Sequence, residues 1–577
     1  MRFHQILDPV GGSLALSALV AGVPLILLLV LLGVVRMRSH LAAAWSLLTA
    51  GLIAVLAFQL PVRTAVSGAL EGAAFGFFPI VWIMLNAVWI NRLIQESGHM
   101  RWIRYTFMRV SNDSRVQALV VAFCFGSLLE AMAGFGAPIV VVAAILLGLG
   151  FSPIRAATVA MFADAAGTAF GSVGNPIFAL SKATGLPTLE LGQMVGRQSA
   201  LVALFVPFLL ILVLDGSRGL KQLWPVGLVI GLGFSVGQLV TSNFIAFQLA
   251  DLFGALVASL GAAVLLRFWT PVTPDDMAGQ LFQDGERKVQ AAPAALAVAT
   301  GGGRGPASAL LTSEAGGFGT HIDPTDVPTR GQLIRAFAPY AILTVLLALV
   351  SIEGPVSTWA SGLLVKFRWP GVGTVIGNSG KPLTLDVFSI NYLAATGSVL
   401  LLTGVMSAVV LKVAPRVAAR EYGRGAAQIK FAALTVVLVL AIAYIFNYSG
   451  QAVTIGVFLA GSGSAFIALS PVLGWLGVAA TGSDTSANAL FGAVQVAAAH
   501  RTGYSPYLFA AANSEAGALG KLVSPQNLAM AAAAVGLSGH EGALLRRTFV
   551  WSLVYLALFI GVLFLMAVGP LQFLVVH

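Results

Sequence analysis

Seven charged side chains sit in or beside long apolar runs of this sequence: Glu71, Glu130, Asp164, Arg197, Asp484, Glu515 and Lys521. A charge at the centre of a bilayer costs at least about 2.5 to 3.5 kcal/mol on insertion scales, so each is a candidate for function. Their chemistry is narrow: carboxyl groups take up and release protons, and an ammonium holds an anion.

Asp484 lies in Gly482-Ser483-Asp484-Thr485-Ser486-Ala487-Asn488, where hydroxyl and amide groups can donate to a carboxylate ligand. A helix N-cap is the structural alternative. Glu130 precedes Gly134-Phe135-Gly136-Ala137-Pro138, and proline there removes a backbone donor and interrupts the helix. A carboxyl group held out of water suits a reversible proton site, and pairing with a backbone amide is the alternative. Lys521, in Gly520-Lys521-Leu522-Val523-Ser524-Pro525-Gln526, is the fixed positive charge best suited to a carboxylate. Alternatively it bridges to Asp164 or Glu515, or snorkels to an interface.

The substrate-binding candidates are therefore Ser483, Asp484, Thr485, Ser486, Asn488, Lys521 and Ser524, together with Gly134 and Gly136. Glu130, Asp164, Asp484 and Glu515 are the candidates for proton coupling, and Asn175, Asn447, Ser449 and Asn513 are further polar groups able to complete the site. Glu71 and Arg197 lie nearer span ends, where a structural role fits equally. The chain has no HExxH, GxxxxGK[ST] or CxxC pattern, and its seven histidines are scattered, so metal hydrolysis and ATP-driven pumping lack their machinery. No enzyme activity, metal or cofactor is expected. The single cysteine, Cys124, reads as a small core residue.

The elements that position these groups are membrane helices. Of 577 residues, 58% are apolar and 9% charged, against roughly 25% charged in a soluble domain. Continuous apolar runs long enough to cross a bilayer cover 12–35, 41–60, 65–90, 117–150, 199–214, 224–239 and 249–268, then 333–350, 390–413, 431–446, 452–480 and 549–576. With the polar-interrupted segments added, about 12 to 14 crossings are expected of an all-α polytopic protein. The first run lacks a small-residue cleavage site and reads as a retained span. The formal charge of +10 comes from Lys and Arg gathered in discrete loops, among them 36–38, 92–115, 218–221, 412–424 and 546–547. Such clusters mark cytoplasmic loops rather than a nucleic-acid surface, which places the N-terminus outside and the central polar stretch inside.

That stretch, 270–332, is rich in Ala, Gly, Pro and Thr and reads as a flexible linker between an N-terminal membrane half, 1–269, and a C-terminal one, 333–577. The halves repeat a pattern. Glu130 is followed after 20 positions by Gly150-Phe151-Ser152-Pro153, and Asp484 after 19 by Gly503-Tyr504-Ser505-Pro506. Asp164 to Pro176 and Asn513 to Pro525 are both 12 positions. In each half, Gly, Ser, Thr or Pro breaks an apolar run beside an acidic or amide side chain. Irregular backbone survives at membrane depth only where protein or a wet cavity surrounds it, so broken helices or re-entrant hairpins are expected. Duplicated interruptions of this kind mark the substrate site of secondary transporters.

The chain resembles the bacterial L-lactate permease family. The resemblance rests on Gly126-Ser127-Leu128-Leu129-Glu130 with Gly134 to Pro138, Gly192 to Gln198, and Asn447-Tyr448-Ser449-Gly450. It continues through Gly474 to Gly477, Thr481 to Ser486 with Asn488 to Phe491, and Gly520 to Gln526. It implies a secondary transporter that imports L-lactate or a related 2-hydroxy monocarboxylate such as glycolate by proton symport in the bacterial inner membrane. It further implies two inverted repeats and an elevator-type motion; a homodimer is one possible assembly. A sodium-coupled organic anion carrier or an anion channel is the alternative. The chain departs from the family's pattern at Ala163-Asp164-Ala165-Ala166-Gly167-Thr168, where Asn-Thr-Ala-Pro is usual, and has Asn175 in an aliphatic position. It also carries Glu515 where small residues are typical. The two additional acids can pair with Lys521, add a proton site or shift selectivity.

Overall fold

The fold is that of a computed structural model. It describes residues 2–274 and 327–577 apart from positions 36, 109, 133, 135, 352–354, 378–379, 381, 384, 391 and 538–539. Most of the expected linker, 275–326, lies outside the described residues.

The chain is an all-α polytopic membrane protein. Among the described residues, ten helices are long and apolar enough to cross a bilayer, or eleven with the bent pair Pro153–Ala166 and Thr168–Thr184. One of them, Thr188–Phe244, has 57 residues, about 85 Å of helix against a hydrocarbon core of about 30 Å, so it makes two crossings. The chain reverses at Gly216, φ 64°, and Gly196 and Gly231 then face Ser242 and Leu204 across the antiparallel pair. The shorter apolar helices Pro138–Leu147, Thr396–Val410 and Gln451–Ala460 bring the crossings toward the expected number.

Lateral packing follows membrane rather than aqueous rules. In the helix Ser39–Leu56, Ala43, Ser46, Ala50 and Ala54 are buried while Leu48, Leu52 and Leu56 are 53%, 52% and 77% exposed. Small residues let the backbone approach the long helix Pro415–Ser449 against which it packs, and the leucines face lipid.

The duplication appears as a repeated order of elements. In the first half, Ser114 to Met132 is helical, the chain breaks, and helices Ala137–Gly148 and Pro153–Ala166 follow; a 3-10 turn, Thr168–Phe170, precedes the helix Gly171–Thr184. In the second half, Phe466–Thr481 breaks before Asp484–Thr502, Pro506–Gly520 follows, and a 3-10 turn, Lys521–Val523, precedes Pro525–Ala534. Gly482, φ 73°, ends its helix with the left-handed residue that a C-cap requires and donates to the Val478 carbonyl.

The halves interlock. The helix Pro415–Ser449 lies against Ser39–Leu56 and Val62–Phe75, Asp484–Thr502 against Gly171–Thr184, and Pro506–Gly520 against Thr188–Ala203. Two polar ends result. At one, Arg92 pairs with Glu421 at 2.7 Å, Arg420 with Glu96 at 2.7 Å, and the buried Arg115 with Asp113 and Asp215, both at 2.7 Å. Arg115 also donates to the Val272 carbonyl at 3.0 Å, which ties the start of the linker to this end. At the other end, Arg2–His4 pairs with Thr374–Ile376, and Val365–Arg368 with Val387–Ile390. These short strands cap the start of the helix Val62–Phe75, where Thr64 and Ser67 donate to the Val372 and Pro370 carbonyls.

Candidate functional site

The 3-10 turn of the first half meets the break of the second. Thr168, Gly171, Ser172, Asn175 and Pro176 from the first half, and Thr481 to Ser486, Lys521 and Gln526 from the second, line a cavity of about 390 Å³ together with Glu130. Its remaining wall is Arg38–His40 and Phe431, Ala432, Thr435 and Val436. His40 stacks on Phe431 with ring centroids 4.8 Å apart. That wall belongs to the part of the helix Pro415–Ser449 nearer the basic end, and Arg38 and His40 bring further basic groups to an otherwise acidic site.

Lys521 holds the centre. Its Nζ donates to Glu130 Oε1 at 2.9 Å and to Asp164 Oδ2 at 3.1 Å, and the three side chains are 6%, 3% and 1% exposed. Burying one charge without its partners is prohibitive, so the three stand or fall together. Glu130 Oε2 and Asp164 Oδ1 have no partner among the described residues. Glu130 reaches Lys521 because Gly171 faces it: a Cβ at that glycine would come within 2.6 Å of Glu130 Oε1.

Asp484 occupies a separate, uncharged polar frame. Ser483 is the N-cap, accepting from the Ser486 amide, and Asp484 is the first helical residue. Its Oδ2 accepts from Ser514 Oγ at 2.7 Å and Asn488 Nδ2 at 3.4 Å. Asn488 in turn accepts from Asn513 Nδ2 at 2.9 Å, and Gln495 donates to Asn513 Oδ1 at 3.2 Å. Asp484 Oδ1 has no partner among the described residues. Its position at the start of the Asp484–Thr502 helix also places it in the field of that helix's N-terminus.

The backbone just after the first half's 3-10 turn is strained. Ser172, Val173 and Gly174 lie consecutively in the left-handed region, with φ of 47°, 60° and 75°. A β-branched residue in that region is an outlier, and strain of this kind, on the order of 1 to 3 kcal/mol per residue, gathers at functional sites.

Of the sequence candidates, Ser483, Asp484, Thr485, Ser486, Lys521 and Glu130 line the cavity. Asn488 stands behind Asp484, and Asp164 behind Lys521. Ser524 is the N-cap of Pro525–Ala534, accepting from Asn527 N. Gly134 and Gly136 pack on Ser172 and Met530 rather than on the cavity. Glu515 is buried away from Lys521's two hydrogen-bonded partners, beside Ser199. Glu71 pairs with Tyr448 Oη at 2.6 Å in a different helix cluster, and Arg197 holds the Leu574 carbonyl at 2.8 Å. Three residues escape the sequence reading, Arg38 and His40 at the cavity and Asp251 outside its lining. Arg38 and His40 sit at a span boundary, where basic residues read as loop anchors. Asp251, 1% exposed and bonded to Gln238 at 2.8 Å, was detectable as an acid just inside an apolar run. The described residues contain no group of three or more His, Cys, Asp or Glu able to hold a metal ion.

Known proteins resemble the chain over nearly its whole length. The profile of the L-lactate permease family matches residues 17–569. The chain is 36% identical to the L-lactate permease of Bacillus subtilis (strain 168), over 98% of both chains. It is likewise 36% identical to the glycolate permease GlcA of Escherichia coli (strain K12), over 98% of both, and 35% identical to the L-lactate permease of the same strain, over 96% of both.

Proposed function

The chain belongs to the L-lactate permease family, and on that premise we propose that it imports L-lactate or a similar 2-hydroxy monocarboxylate together with a proton. Its family makes it a multi-pass membrane transporter and not an enzyme. The observation that carries the finer reading is one ammonium, Lys521, shared by two carboxyl groups at the wall of the cavity.

With Glu130 and Asp164 both ionised, the triad has a net charge of −1 and repels a second anion. An extra negative charge about 4 Å away costs roughly 4 kcal/mol at an effective dielectric of about 20, on the order of a thousandfold in affinity. A proton on Glu130, the acid that faces the cavity, frees Lys521 to take the substrate carboxylate in its place. The loaded site then again carries −1, so proton and substrate together add no charge to be carried across the membrane. Substrate alone adds one negative charge, and the membrane penalty on charge enforces the coupling. Hydroxyls of Ser483, Thr485 and Ser486 supply neutral donors around the anion, and Asp484 orders their helix start.

The basic end, under the positive-inside rule, faces the cytoplasm of the bacterial inner membrane, with the N-terminal strand outside. The paired breaks suit an elevator-type movement of two inverted repeats. The test is uptake of labelled L-lactate by proteoliposomes at two pH values, with and without sodium, in the presence of competing 2-hydroxy acids. The reading requires uptake that rises at acid pH, ignores sodium and is competed by glycolate. Uptake that needs sodium, or that never saturates, overturns it in favour of a sodium-coupled carrier or a channel.

A tighter probe of Asp484 is available. Gly517 faces it so closely that a Cβ would collide with Asp484 Oδ1 and lie 2.9 Å from Val478 Cγ2. Overpacking of this size costs about 1 to 3 kcal/mol. Gly517→Ala is expected to lower lactate uptake by about tenfold while the protein still folds and elutes as the parent does. Unchanged uptake would show that the position of Asp484 is immaterial.

A further inference from the structure

We propose that Asn175 reads the 2-hydroxyl group of the substrate and so separates 2-hydroxy acids from other small monocarboxylates; the inference rests on the transport reading above. Asn175 lines the cavity and is 1% exposed, yet neither its Nδ2 nor its Oδ1 has a partner among the described residues. Both polar atoms of its amide are shut off from solvent with their donor and acceptor functions unused among the described residues. A buried amide of this kind ordinarily finds partners within the protein. Here the neighbouring groups are committed elsewhere: Asn488 Nδ2 donates to the Pro176 carbonyl at 3.2 Å, and Lys521 to its two carboxylates.

The chain spends strain to hold Asn175 there. Three left-handed residues, Ser172 to Gly174, precede it and Pro176 follows, so the amide is presented at the start of the regular part of its helix. An amide fork offers an N–H donor beside a carbonyl acceptor. A 2-hydroxy carboxylate offers the complement, a carboxylate oxygen that accepts and an adjacent hydroxyl that donates. With the carboxylate on Lys521 and the hydroxyls of Ser483 and Ser486, the 2-hydroxyl donates to Asn175 Oδ1 while Nδ2 donates to a substrate oxygen. A 2-keto acid can only accept, which leaves Oδ1 unpaired; a 2-unsubstituted acid also leaves Oδ1 unpaired and offers Nδ2 only a carboxylate oxygen shared with Lys521. A site built to bond a hydroxyl rejects the analogue lacking it because its own polar groups stay dry and unpaired.

The experiment compares L-lactate, pyruvate and propionate as competitors of labelled lactate uptake, and as ligands that raise the melting temperature of the purified protein, in the parent, Asn175→Ala and Asn175→Ser. The parent is expected to prefer lactate to propionate by roughly 10- to 100-fold, with pyruvate between. Asn175→Ala is expected to bring the three acids within about threefold of one another, chiefly by weakening lactate, and Asn175→Ser to retain part of the preference. An unchanged lactate-to-propionate ratio in both variants, or an equal loss of both acids, overturns the assignment. A parent that binds all three acids alike overturns it too and leaves monocarboxylate transport standing. A parent that binds none of them removes the transport reading itself.

Discussion

Lys521→Met is expected to reduce lactate uptake to below about 1% of the parent and to destabilise the protein by about 3 to 5 kcal/mol, because it leaves two buried carboxyl groups without their cation. The ammonium is 2.9 Å from Glu130 and 3.1 Å from Asp164, and the three side chains are almost fully buried. Removing the two acids as well, in Glu130→Gln/Asp164→Asn/Lys521→Met, replaces the ion cluster by neutral groups of similar volume. Stability is then expected to return to within about 1 to 2 kcal/mol of the parent while uptake stays lost. Scanning fluorimetry of the detergent-purified proteins and proteoliposome uptake separate the two effects. If the triple variant recovers uptake along with stability, Lys521 only holds the fold and does not meet the substrate.

The second large effect belongs to Glu130. Glu130→Gln mimics the protonated acid, so Lys521 is permanently available to the substrate and no proton is needed to bind it. For one proton bound with each substrate, the parent's apparent affinity improves about tenfold per unit fall in pH above the midpoint of the proton site. In Glu130→Gln that dependence is expected to vanish. Exchange of labelled for unlabelled lactate across the vesicle wall is expected to continue at a rate comparable to the parent's, whereas accumulation driven by a pH gradient is expected to fall to the equilibrium level. Accumulation that survives in Glu130→Gln places the coupling proton elsewhere, with Asp164 and Asp484 as the next acids to change.

Much of this site is readable in the sequence because hydrocarbon is unforgiving. A polar side chain in an apolar run must have a reason, and Asp484, Lys521 and Glu130 announce themselves that way. The internal repeat then points to both breaks, since Glu130 and Asp484, each close to one, precede a Gly-aromatic-Ser-Pro turn by 20 and 19 positions. What the repeat does not convey is which acid meets which base. It sets Glu130 opposite Asp484, yet Lys521 of the second half reaches across to Glu130 and Asp164 of the first, while Asp484 turns to Ser514 and Asn488. Equivalence along the chain says nothing about pairing between halves.

Glu515 shows the same limit: one position beyond Ser514, it emerges on the other side of its helix and faces Ser199. The cavity's outer wall was hidden for a different reason. Arg38–His40 and Phe431–Val436 lie nearly 400 residues apart, and only the packing of small residues between helices Ser39–Leu56 and Pro415–Ser449 brings them together. A stripe of alanines signals close approach without naming the partner.

The most direct measurement of proton and substrate moving together is the internal pH of proteoliposomes, read by a trapped fluorescent dye, when an inward lactate gradient is imposed without any initial pH gradient. Protein-free vesicles and vesicles holding Lys521→Met set the background from undissociated acid. The account predicts that the parent acidifies the lumen well above that background, in sodium-free buffer, with one proton entering for each labelled lactate. Lactate entry at the parental rate without added acidification, or only when sodium is supplied, contradicts it.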